Sequence, residues 1–165
     1  MIEISRQLKE VINSARPRLL SIAEARATEK PYADKWSIKE VLGHLIDSAA
    51  NNHQRIVRMQ ERENIGPFSY AQQHWVLAQR YQVESWPDIV NLWYYYNAHL
   101  AHTIGNVDPN ALNHLCDMGY ATPATLKFVI EDYVRHVEHH LKQILVASDP
   151  LQREQWVPRD PRADH

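Results

Sequence analysis

Four stretches of this 165-residue chain carry apolar residues at helical spacing, and no stretch shows sustained period-two alternation with turn residues at its ends. A helix with one apolar stripe must bury it against another element, so four such stripes without a strand pattern predict an all-α fold, a four-helix bundle. A chain of this length buries a single core without staples, which predicts one domain over residues 1–150. The remainder, 151–165, is polar and proline-bearing and reads as an irregular tail.

The first stretch runs from Ile2 to about Ala27, its stripe formed by Ile4, Leu8, Val11, Ile12, Ala15, Leu19, Ile22 and Ala23. Pro17 removes a backbone donor inside it, which predicts one kinked helix or two short ones. The second is sharply marked: Ser37 and Glu40 form a capping box, with Trp36 and Val41 at the staple positions, and the helix is expected from Ile38 to about Glu61. The third opens at Ser85, with Pro87 and Asp88 in its first turn, and closes near Gly105. The fourth is expected from Thr122-Pro123 to Asp149-Pro150. Between the second and third helices, 62–84 is too long for a plain bundle loop, and YAQQHWVLAQRY within it predicts a short helix or lid.

Charge and cysteine usage narrow the function classes. A formal charge of −2 and a pI near 6.5, with Lys and Arg scattered along the chain, provide no basic field for nucleic acid. Cys116 is the single cysteine, so neither a disulfide framework nor a thiolate cluster is available, and a reducing cytoplasmic setting fits best. The N-terminal MIEISRQLKEVINSAR breaks its apolar residues with charges, unlike a secretory leader or a membrane span. The expected partners are therefore a small-molecule substrate, with no nucleic acid and no membrane. The surplus of aromatic side chains, five Trp and eight Tyr, suits a homodimer face as well as a core.

The ten histidines carry the chemistry. His136 and His140 are four apart on the fourth helix, about 40° apart around its axis and one turn along it, so both imidazoles can address one ion. Chance alone supplies roughly 0.6 such pairs in a chain of this composition, so the spacing is weak by itself. His44, two turns into the capped second helix, adds a third imidazole from a neighbouring helix. Three neutral imidazoles leave one or more coordination positions for water or substrate, and suit zinc, nickel or ferrous iron without choosing among them. His139 is the rival ligand, three residues from His136 but about 100° around the helix from His140. The competing interpretation keeps all three histidines as polar core residues. His53, His74, His99, His102 and His114 have no comparable partners across two helices, and a lid offers His74 a route to the metal.

Other polar residues follow from the same geometry. The face of His44 continues through Asp47, Ser48, Asn51 and Arg55, candidates for pocket or ligand-supporting roles. Asp47 or Asp132 can accept the non-ligating N–H of a metal-bound histidine, or serve as an ordinary solvent-facing helix acid. Trp93 and Asn97, on the third helix, are the candidates there for lining the pocket. No residue stands out as a proton shuttle, with Asp47, His74 and His139 as the candidates.

DKWSIKEVLGHLIDSAANNHQR and DYVRHVEHHLKQI together resemble the DinB-like (DinB/YfiT) superfamily of metal-dependent hydrolases and thiol transferases, and YAQQHWVLAQRYQ and NLWYYYNAHLAHTI resemble one of its bacterial branches. The resemblance covers nearly the whole chain apart from the tail. It implies a four-helix bundle with one long crossover, and a metal held by the histidine of the GHL motif and the two of H-x-x-x-H, here His44, His136 and His140. It also implies a class whose relatives use low-molecular-weight thiols, such as bacillithiol or mycothiol, as cosubstrates.

Two function classes follow. In an enzyme, the metal activates a thiol or water for transfer to, or hydrolysis of, a small electrophilic substrate. In a non-catalytic stress-response bundle, metal or ligand binds stoichiometrically without turnover.

Overall fold

The structure, a computed structural model, describes residues 1–149. The tail expected from 151 onward lies outside the described residues.

Four long helices form the bundle: α1 (Ile2–Leu20), α3 (Ile38–Glu61), α5 (Trp86–Gly105) and α6 (Leu126–Ser148), with short helices α2 (Glu24–Thr28) and α4 (Gln72–Gln79) in the connections. α1 packs on α5 and α6, and α3 packs on α6 and α5, so the chain order and the spatial order differ. The core is the shared apolar stripe, with Leu8, Ile12, Leu42, Leu45, Ile56, Trp93, Leu100, Ile130, Val137 and Ile144 all buried. At roughly 25 cal/mol per Å² of apolar surface, each such side chain contributes about 1.5–3 kcal/mol of transfer free energy, which is the main force closing the bundle.

Local signals place most helix ends. Ser37 accepts from the Glu40 backbone N–H at 3.2 Å while Glu40 Oε2 accepts from the Ser37 N–H at 2.8 Å, completing the predicted capping box. α5 begins after Ser85 and ends at Gly105, as expected. Two boundaries differ. The first helix runs through Pro17 to Leu20, and the break falls at Ser21–Ala23; Pro17 forfeits only the bond its missing N–H would make to the Asn13 carbonyl, and the helix closes one more turn beyond it. The last helix starts at Leu126, after Thr125, whose hydroxyl accepts from the Phe128 N–H at 3.2 Å. The residue before it, Ala124, is held in a strand instead, so Thr122-Pro123 lies ahead of the helix.

That strand belongs to a three-stranded sheet that the apolar pattern did not reveal. β1 (Asn64–Ile65) pairs in parallel with β2 (Leu115–Cys116), which pairs antiparallel with β3 (Ala124–Thr125). Two-residue strands are too short to show a period. They pin the start of the crossover, where Gly66 has φ 135° and a β-carbon would stand 2.6 Å from Asp117 Cβ. The crossover then passes a cis Gly66–Pro67 bond, the predicted short helix α4, and a 3₁₀ turn at Tyr81–Val83. Among the described residues no helix is long and apolar enough to cross a membrane.

Candidate metal centre

His44 on α3 and His136 and His140 on α6 meet in the bundle interior. One ring nitrogen from each lies within 4.8 Å of those of the other two, and among the described residues this is the one His, Cys, Asp and Glu group that converges so closely. His44 Nε2 and His136 Nε2 are 3.1 Å apart. A tetrahedral ion with nitrogen ligands at 2.0–2.1 Å places neighbouring nitrogens about 3.3–3.4 Å apart, so the pair is within a few tenths of an ångström of ligating geometry.

Burial keeps the His44 and His136 imidazoles neutral, and neighbouring side chains orient the cluster. His44 and His140 are buried, whereas His136 borders a cleft. Burial holds His44 well below the usual imidazole range, reinforced by His136 and His140; burial, then His140 and His139, pulls His136 down to about 3. Neutral imidazole is the form that donates a lone pair to a metal. His140 Nδ1–H donates to Gln143 Oε1 at 2.9 Å, which turns Nε2 toward the cluster. The Trp36 ring lies 5.2 Å from that of His44, tilted by 35°, and shields it. His44 Nδ1 is buried with no hydrogen-bond partner among the described residues. A donor set of three converging imidazoles suits one divalent ion.

The remaining candidates separate into distinct places. Asp47 makes no hydrogen bond to a ligand histidine: its Oδ1 accepts from Tyr81 Oη at 2.8 Å and from Gln79 Nε2, tying the crossover to α3, and its Oδ2 is buried without a hydrogen-bond partner among the described residues. Burial pushes this carboxyl above the usual range, with the two hydrogen bonds opposing. Asn51 donates to the Asp47 carbonyl at 2.8 Å along the same helix. Arg55 and Asp132 line the cleft beside His136 together with Ser48, Asn52, Tyr70, Tyr120 and Tyr133. Trp93 and Asn97 do not line that cleft; both are buried in the bundle core, with Asn97 donating to the Trp93 carbonyl at 2.8 Å and accepting from Tyr133 Oη on α6. They sit there because residues four apart share one face of α5, and this face packs into the core while Tyr95 on the opposite side is exposed.

His139 is exposed and lies outside the cluster, as does His74 on α4. His114 Nδ1 donates to the Met59 carbonyl at 2.5 Å. His53 does meet a histidine across helices, its ring 5.2 Å from that of His99 on α5, and Tyr96 Oη is 3.3 Å from its Nδ1; the spacing gave no sign of this contact. Sequence reasoning passed over Gln143 and Gly43. The first is signalled by its place three residues after His140, and the second by its place directly before His44 in the GHL motif.

The fold has a solved counterpart. YfiT from Bacillus subtilis, described as a probable metal-dependent hydrolase with an unusual four-helix bundle topology, superposes with a TM-score of 0.77 and 18% sequence identity, covering 94% of this chain and 87% of that one. No curated protein matches the chain in sequence. The model of the DinB superfamily matches residues 7–144, a span that takes in His44, His136 and His140. Since that match runs from the first long helix to the last, the chain belongs to the DinB superfamily.

Proposed function

We propose that this chain is a metal-dependent enzyme in which His44, His136 and His140 hold one divalent ion (zinc, nickel or ferrous iron), and in which a low-molecular-weight thiol or water is activated to attack a small electrophile. The observation that carries this is the convergence of three ring nitrogens from two helices within 4.8 Å. When bound, such an ion lowers the pKa of a coordinated thiol or water so that the anion is available near neutral pH.

The protein's own residues supply the rest. Three imidazoles leave room for an exogenous ligand. Burial of His44 beneath Trp36 keeps water from that side, and the polar cleft at His136 gives the substrate its approach. Gln143 fixes the ring of His140. Asp47, engaged through Oδ1 by Tyr81 and Gln79, tethers the crossover to α3.

Metal analysis of protein purified without an affinity tag tests the site, with about one equivalent expected in wild type and loss in His44→Ala. Less than about a tenth of an equivalent in both overturns it. Catalysis is tested by loss of free thiol with electrophiles such as monochlorobimane, beside ester and amide substrates. Turnover that survives His140→Ala shows that the metal is not the catalyst, and metal binding without turnover on any of them favours the stoichiometric binder.

A further inference from the structure

The cleft beside His136 has a volume of about 100 Å³ and contains two opposite charges that do not neutralise each other. Arg55 is 6% exposed, yet its guanidinium has only neutral partners, donating to Asn52 Oδ1 at 3.1 Å and to the Phe68 carbonyl at 2.6 Å. Its Nε is buried without a partner, and among the described residues no carboxylate lies within 4.0 Å of it. A buried cation lacking a counter-charge is costly, and a guanidinium with donors to spare is built to take a carboxylate in bidentate fashion. Asp132, which also lines the cleft, pairs with Arg135 at 3.1 Å on the exposed side of α6.

We propose that this cleft binds the carboxylate of a small substrate or cosubstrate, held by Arg55, with its far end directed toward His136. A single guanidinium facing Asp132 suits a monoanion better than a phosphate dianion, because the second negative charge has no partner and meets a like charge. Asp132 selects for a hydroxyl or ammonium on the same ligand. Arg55 and His136 line the same cleft, and Arg55 donates to Asn52, three residues nearer His44 along α3, so a ligand held by Arg55 extends along the cleft toward His136. A short linker between the carboxylate and the metal-directed atom fits a cleft of this volume, about 100 Å³. The assignment of that far end rests on the metal reading above; the carboxylate site does not.

Calorimetric titration of the full chain, metal-free and zinc-loaded, with 4-mercaptobutyrate and its uncharged amide 4-mercaptobutyramide tests this. Wild type is expected to bind the acid about tenfold or more tightly than the amide in both forms, as a charge-assisted hydrogen bond implies. Arg55→Gln is expected to abolish the preference, and Arg55→Lys to cut it severalfold by replacing the planar fork with a point charge. Equal binding of acid and amide to wild type overturns the proposal, as does a preference that persists unchanged in Arg55→Gln. If Arg55→Gln does not fold, an unchanged preference in Arg55→Lys has the same force. Failure to take up zinc, with an Arg55-dependent preference in the metal-free chain, removes the metal reading and leaves the carboxylate site standing.

Discussion

The ring of Tyr81 fills the space that a β-carbon at Gly43 would occupy: an added Cβ would stand 2.2 Å from Tyr81 Cδ2 and 2.4 Å from Cγ. The residue preceding His44 thus lets the crossover lie directly on α3, where Tyr81 reaches Asp47 and Gln82 donates to Ser37 Oγ at 2.8 Å and Glu40 Oε2 at 3.0 Å. The helix that carries His44 is clamped by a segment that begins its own course at the small sheet.

Gly43→Ala is therefore expected to destabilise the protein. Alanine in a helix interior is ordinarily favoured over glycine by about 1 kcal/mol, but overpacking against a buried ring costs about 1–3 kcal/mol and decides the sign. Urea denaturation checks this, and the same substitution in a Tyr81→Ala background should be neutral or stabilising. A Gly43→Ala protein at least as stable as wild type would show that Tyr81 is not seated on α3.

Gln143→Ala removes the acceptor that orients His140, and metal affinity should fall about 10- to 100-fold. Gln143→Glu keeps an acceptor, strengthens the imidazole as a ligand and should hold or raise affinity. Chelator competition at one fixed pH reads both, and equal affinities for wild type and Gln143→Ala would remove Gln143 from the site.

Acid should destabilise the metal-free protein early. His44 and His136 are held below the free imidazole value of about 6.5, so between that value and their folded values the unfolded chain binds more protons than the folded one. Stability is unaffected well above pH 6.5 and falls as pH drops below it, by up to about 1.4 kcal/mol per pH unit for each histidine. Asp47, raised by burial, opposes this, but only over the carboxylate range. Urea midpoints from pH 7.5 to 5 check the slope, and a flat profile would mean that the imidazoles are not buried neutral. Saturating zinc should raise the midpoint at pH 7 by linkage.

Local chemistry made much of this protein legible. The capping box at Ser37, the ends of α5 and the short helix in the crossover follow from residues within a turn or two of one another, as does the pairing of His136 with His140. Signals of that range cannot state which face of α3 meets α6. The structure brings His44 to the pair on α6 because their stripes share one core, and it leaves His139, a residue away, exposed.

What the tertiary structure alone decided are the contacts between residues far apart in sequence. Asp47 has the composition of a ligand-supporting acid, but Tyr81, 34 residues later, claims it. Trp93 and Asn97 look like pocket residues until Tyr133 closes over Asn97. Arg55 reads as one polar position on a helix face, and only the folded cleft leaves it buried without a counter-charge. Helical periodicity fixes direction around one axis, whereas the partner of a polar group is set by which elements pack beside it, and that depends on the closure of the whole bundle.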